Sequence, residues 1–192
     1  MSEIRIKKEE ILSHLQYTLK KVQFELRNKH GKWKAQEKEV YDHGNATAAL
    51  LYNKAKRTII LTKQFRLPTY LNGNPSGMLL EACAGLIDDN ESPEETIKRE
   101  IKEETGYSIT AVKKVYEAYT SAGSLTEMLY LYIAEYDEGQ KVSKGGGLEE
   151  EGEEIKIVEM NFDQALALMD QGEIKDAKTL ILLQYIRLKQ FL

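Results

Sequence analysis

The chain has 192 residues, 42% of them hydrophobic and 30% charged, which fits one folded domain with at most a small appendage and excludes fibrous and disordered classes. Twenty-seven Lys and Arg against 31 Asp and Glu give a formal charge of −4, without the basic field that general nucleic-acid binding needs. The start Glu3-Ile4-Arg5-Ile6-Lys7-Lys8 carries charges where a signal peptide would need its apolar stretch, no apolar run nears the ~20 residues of a membrane span, and a lone cysteine excludes an internal disulfide. The expectation is a cytoplasmic protein with no nucleic acid or membrane as partner, in which Cys83 fills space as a small apolar side chain.

In chain order, apolar residues alternate over Leu15–Leu26 and are followed by the turn-forming Asn28-Lys29-His30-Gly31, the pattern of a β-meander. Strands are expected at Ala46–Tyr52 and Thr58–Phe65, joined by a hairpin-like connection at Asn53–Lys56. Turn formers fill Leu67–Gly77, which reads as a loop, and strand-like residues return at Met78–Cys83. The best-marked element is a helix starting at Pro93, where Ser92 is the N-cap, Glu95 completes a capping box and Gly106 supplies the stop. Strand patterns follow at Lys113–Ala118, Met128–Tyr136 and Ile155–Met160, with Gly145-Gly146-Gly147 opening an acidic loop between the last two. Two helices close the chain, one capped by Asn161 and one starting near Asp176.

On the Pro93 helix, a 100° step aligns Ile97 with Ile101 and sets Glu100 and Glu104 beside that apolar stripe, with Lys98 and Lys102 nearly opposite. Taken alone, the helix can be an acidic amphipathic one laced by pairs such as Glu94 with Lys98. Two carboxylates one turn apart at the edge of a core repel each other, and a divalent cation with a taste for oxygen, Mg2+ or Mn2+, would relieve them. The flanking residues favour the second reading. The run Gly85-x5-Glu91-x7-Arg99-Glu100-Ile101-x-Glu103-Glu104-x-Gly106-Tyr107 resembles the Nudix box at every fixed position, apart from an aromatic last residue where an aliphatic is commoner.

That resemblance implies an α/β/α sandwich with a mixed β-sheet, in the α/β (α+β) class, over 46–192, preceded by a small antiparallel β-domain at 1–45 that exchanges with a partner in a homodimer. It implies Mg2+ held by Glu100, Glu104 and the backbone carbonyl of Ala84, with Glu103 joining through water and Arg99 orienting Glu100. Beyond the box, Glu39–Asn45, Gln64-Phe65-Arg66, the Leu71-Asn72-Gly73-Asn74-Pro75-Ser76-Gly77 segment and Ile174–Thr179 are similar to the GDP-mannose hydrolases, relatives of the ADP-ribose pyrophosphatases. Ser121-Ala122-Gly123-Ser124-Leu125-Thr126-Glu127 resembles a Ser-Pro-Gly-x-x-x-Glu segment of both groups, with alanine replacing the proline.

By the same resemblance Arg66, Lys178, Glu127 and the strand residues Glu37, Lys38 and Glu39 contact a nucleotide-sugar substrate, although this last segment departs in charge from its relatives. Glu127 or Glu151 takes a proton from water, with Glu104 and Arg99 completing the catalytic group and Glu153 as a further metal ligand. Without the family, Arg66 is a strand-end surface charge and the acidic loop a solvated charge run. The three histidines, His14, His30 and His43, lack metal-ligand spacing and receive no role. The expected activity is metal-dependent hydrolysis of GDP-mannose to GMP and mannose 1-phosphate; the alternatives are an ADP-ribose or ADP-sugar pyrophosphatase, or a nucleotide-sugar-binding module without catalysis.

Overall fold

The computed structural model describes residues 3–148, 150, 152 and 154–192. It divides into two compact units, Met1–Asn45 with Tyr119–Met128, and Ala46–Ala118 with Leu129–Leu192. In the first, β1 (Ile4–His14), β2 (Thr18–Arg27) and β3 (Trp33–Asp42) form an antiparallel meander in that order. The Asn28 side chain accepts the N–H groups of His30 and Lys32, and Gly31 takes φ +77°, so the β2–β3 turn follows from its own residues. The returning segment docks on this sheet where Tyr41 N donates to Ser124 O at 2.8 Å and Thr126 N donates to Tyr41 O at 3.2 Å.

The second unit is built on β4 (Ala46–Asn53), every residue of which is buried. It pairs antiparallel with β5 (Thr58–Phe65) and parallel with β9 (Met128–Glu135); β8 (Lys113–Tyr119) and β10 (Lys156–Asn161) complete the path β10-β5-β4-β9-β8. A strand buried on both sides shows no alternation of polarity, only alternation of neighbours. Ala46, Ala48, Leu50 and Tyr52 face one core with Phe162 and Ala165 of α3 (Phe162–Asp170) and Leu182, Leu183 and Ile186 of α4 (Ala177–Lys189). Ala49 and Leu51 face the other core with Ile97 of α2 (Pro93–Glu100) and Ile101. The result is the sandwich of helices on a mixed sheet that the sequence implies. Among the described residues, no helix is long and apolar enough to cross a membrane.

Two local expectations are corrected, at Leu67–Gly77 and at the helix from Pro93. Leu67–Gly77 is not all loop: it opens with the short helix α1 (Leu67–Leu71), with Pro68 in its first turn where a missing N–H costs nothing. The strand-like stretches at Met78–Cys83 are β6 (Met78–Glu81), paired with β5, and the start of β7 (Cys83–Leu86), paired with β4; the chain changes partner at Ala82. The helix from Pro93 is regular only to Glu100 and then widens into a π-helical turn, Ile101–Thr105, before Gly106 ends it at φ +77°.

The capping box at the start of α2 is complete. Ser92 Oγ accepts from Glu95 N and Ser92 N donates to Glu95 Oε2 at 2.9 Å, satisfying two otherwise idle donors. Replacing Ser92 by alanine should destabilise the protein by about 1 kcal/mol, read as a lower urea midpoint with an unchanged slope.

Candidate active site

The second unit gathers the box residues around one guanidinium. Arg99 Nη1 donates to Glu100 Oε1 and to Glu103 Oε2, both at 2.9 Å. Its Nε and Nη2 reach Glu91 at 3.1–3.2 Å, and Nη2 lies 3.4 Å from Asp88 Oδ2. Burial opposes the charge of Arg99, but hydrogen bonds and attraction from Glu91, Glu100 and Glu103 outweigh it and raise the pKa above its ordinary value. The hydrogen bonds from Arg99 and Thr96 in turn hold the Glu91 carboxyl below the usual carboxylate range. Arg99 is thus hydrogen-bonded to Glu100, the carboxylate that the resemblance would have it orient.

The π-helical turn carries Glu103 and Glu104, and Glu104 is only 1% exposed. A helix end leaves carbonyls without partners, and the glycine triplet supplies them: Gly146 N donates to Glu104 O at 2.9 Å and Gly147 N to Glu103 O at 3.2 Å. The approach is so close that a Cβ on Gly106 would overlap the carbonyl oxygen of Ser143. The root of the acidic loop is therefore fastened to the backbone of the two glutamates.

On the other side, α2 packs on β7, and Gly85 faces the Glu100 carboxylate with no room for a Cβ between them. Ala84, next to it, is the residue whose carbonyl the sequence nominates for the metal. Among the described residues, no group of three or more His, Cys, Asp or Glu side chains is arranged to hold a metal ion on its own. Two carboxylates one turn apart on a helix laid against a strand are nonetheless a donor set that fits a hard divalent ion, which commonly takes only one or two protein carboxylates and leaves other positions to water and phosphate.

Arg66 and Lys178 meet in the same unit at a residue that the sequence reading passed over, Glu81. This carboxylate, 3% exposed at the end of β6, accepts from Arg66 Nε at 2.7 Å and from Lys178 Nζ at 2.6 Å. Lys178 also donates to Asp176 Oδ1 at 2.9 Å, while Asp176 Oδ2 caps α4 by accepting from Thr179 N at 3.0 Å. Burial opposes the charge on each cation; attraction to Glu81, supplemented at Lys178 by Asp176 and at Arg66 by Glu104, raises both pKa values. The signal for Glu81 was one charge inside the apolar run Met78-Leu79-Leu80-Glu81-Ala82-Cys83.

The remaining nominated residues belong to the first unit or lie outside the described residues. Glu127 accepts from Thr120 Oγ1 at 3.0 Å and stands 3.4 Å from Nε2 of His43, a histidine that the sequence left without a role. The rings of Tyr17 and Tyr41 pack around His43 at centroid distances of 5.2 and 6.2 Å. Glu37, Lys38 and Glu39 lie on β3, Glu37 bound to Lys21 at 3.0 Å and to Gln23 at 2.9 Å. Glu151 and Glu153 lie outside the described residues.

This geometry agrees with sequence relationships along the chain. Residues 42–183 match the NUDIX domain, and the chain belongs to that family. Residues 3–41 match the domain described as GDP-mannose pyrophosphatase NudK N-terminal domain. The chain is 48% identical over 186 residues to a GDP-mannose pyrophosphatase of Cronobacter sakazakii, spanning 97% of this chain and 96% of that protein. It is 51% identical over 184 residues to one of Pectobacterium atrosepticum, spanning 96% and 94%. A solved structure titled as an ADP compounds hydrolase superposes with a TM-score of 0.72, covering 96% of this chain and 92% of that one; at 19% identity this likeness speaks to the fold.

Gly85→Ala should separate folding from metal binding. The added methyl meets the end of a flexible side chain, so the protein folds, but the Glu100 carboxylate must move. Calorimetric titration with Mn2+ should show an affinity about 10–100-fold weaker than wild type. An unchanged affinity would remove Glu100 from the metal site.

Proposed function

We propose that this chain is a nucleoside-diphosphate-sugar pyrophosphatase acting on GDP-mannose, with Mg2+ as its working ion. The observation that carries this reading is the carboxylate cluster of the box, four acids held by one arginine, on a chain related over nearly its whole length to GDP-mannose pyrophosphatases. Glu100, Glu104 and the Ala84 carbonyl would hold the cation, with Glu103 alongside. Bound there, the ion would neutralise diphosphate charge and make the attacking water more acidic. Arg99 keeps Glu100 aimed. Arg66 and Lys178 supply positive charge to the phosphates, while Glu127, or Glu151 or Glu153 of the acidic loop, accepts the proton of water. Oxygen of water adds to a phosphorus, the bridging P–O bond breaks, and GMP and mannose 1-phosphate leave.

In the same reading, residues 1–45 form an N-terminal domain that exchanges between two copies, so that Glu37, Lys38 and Glu39 hold the nucleotide bound by the partner. Exposed Ile4, Ile6, Ile11 and Leu12 on β1 support a surface that another chain covers. The buried single cysteine, Cys83, suits a reducing compartment such as the cytoplasm. Light scattering on the purified protein should give twice the chain mass of 22.0 kDa; a monomer at micromolar concentration would sink the exchange.

The catalytic reading is tested by incubation with Mg2+ and either GDP-mannose or ADP-ribose, followed by mononucleotide release. GDP-mannose should give the higher kcat/KM, and Glu104→Gln should lose at least about 100-fold in kcat while keeping its circular dichroism spectrum. Preference for ADP-ribose would keep the hydrolase and overturn its substrate; a fully active Glu104→Gln would overturn the site.

A further inference from the structure

Glu81 is an ionisable group that the catalytic reading does not use. It is 3% exposed, at the point where the chain leaves β6 for β7, and a buried carboxylate must be matched by donors or charge. Its two partners come from far along the chain, Arg66 at the end of β5 and Lys178 in the first turn of α4, and each is fixed again by a second contact. Arg66 N donates to Gly77 O at 2.8 Å, which closes the Asn-Gly-Asn loop at its base. Lys178 is bound to Asp176, Asp176 accepts from Thr179, and Thr179 Oγ1 accepts from the backbone N–H of Ala82 at 2.7 Å, the residue after Glu81. The ring of contacts returns to its start.

A buried ion pair of this kind is a poor device for stability, since apolar residues of similar volume commonly do as well or better. It is a good device for holding charges in place. Only Nε of Arg66 faces Glu81; among the described residues Nη1 and Nη2 make no hydrogen bond, and the side chain is 40% exposed. Those two nitrogens are the parallel donors that suit a phosphate group. Lys178 uses two of its three N–H groups on Glu81 and Asp176, so its ammonium cannot swing toward water without breaking both.

We propose that Glu81 is a positioning residue, which by binding Arg66 and Lys178 presets them as a receptor for the diphosphate of the substrate and never touches that substrate itself. The inference rests on the reading that Arg66 contacts the diphosphate. It differs from a merely structural role in one respect: the effect of Glu81 on binding must pass through Arg66 and Lys178, so part of it must vanish when Arg66 is removed.

A double-mutant cycle reads that difference. Wild type, Glu81→Gln, Arg66→Ala and the double variant are titrated with inorganic pyrophosphate by calorimetry, with thermal melting alongside and kcat and KM measured on GDP-mannose and ADP-ribose. Arg66→Ala and Glu81→Gln should each weaken pyrophosphate about tenfold, the double variant by clearly less than the ~100-fold product of the two, and KM should rise more than kcat falls. Glu81→Asp, which keeps the charge but withdraws it by one methylene, guards against a Glu81→Gln protein that fails to fold; it should show a smaller loss that shrinks in the Arg66→Ala background. Wild type that does not bind pyrophosphate, or a Glu81 effect that adds in full to Arg66→Ala, would overturn the proposal. If the cycle closes as expected but neither nucleotide sugar is cleaved, the catalytic reading fails and the receptor stands.

Discussion

Four carboxylates, those of Asp88, Glu91, Glu100 and Glu103, converge on the single guanidinium of Arg99, and that imbalance organises the second unit. One positive charge cannot neutralise four negative ones, so the cluster keeps a strong net negative field on a helix whose other face is locked in the core by Ile97 and Ile101. Charge of one sign is costly to assemble, and here the cost is carried by packing around it: a complete capping box starts the helix, and Gly85 lets β7 come up against Glu100. A guanidinium can serve four acids because its donors point in several directions within one plane, which an ammonium cannot do.

The change from α-helix to π-helical turn falls where the box needs its glutamates. The turn over Ile101–Thr105 is wider than an α-helical one, and as the last turn of the helix it leaves gaps in the hydrogen-bond ladder at the carbonyls of Glu103 and Glu104. Gly146 and Gly147 fill those gaps from outside, and Gly106 and Gly145 take positive φ angles with backbone almost touching backbone. Orientation of the glutamates and anchoring of the acidic loop are consequently one arrangement, and disturbing the loop root disturbs the carboxylates.

Much of this was written in local sequence. Ser92, Pro93 and Glu95 determine where α2 starts, because capping depends on residues within one turn of each other; Gly31 and Asn28 determine a turn for the same reason. What could not be read depends on partners distant in the chain. The strand β1 hides its alternation because register shifts between Ile6 and Lys8 and between Ile11 and Ser13 break the two-residue period, and its charged middle, Lys7–Glu10, looks like a surface coil. The split at Ala82 is invisible for another reason: both halves are extended and apolar, and only the sheet decides which neighbour each half takes. Of the site, the Arg99 cluster was legible because its members share one helix and one preceding loop. Glu81 was not, since its meaning lies in Arg66, 15 residues before it, and Lys178, 97 residues after.

Glu81 and Glu104 show two solutions to one problem. Both carboxylates are nearly inaccessible, at 3% and 1% exposure, Glu81 on a strand of the sheet and Glu104 on the turn that follows α2. Glu81 sits among matching charge: Arg66 and Lys178 balance it together with Asp176, so the group is neutral without any outside ion. Glu104 sits on the turn whose neighbours are already in acidic excess, a setting that favours a cation from solution. In the proposed reading, cations prearranged on Glu81 and carboxylates that would hold a metal divide between them the charge of a diphosphate, whose oxygens are shared between metal and protein. On that reading the charge of the substrate is accommodated before it arrives, with little reorganisation left to the moment of binding.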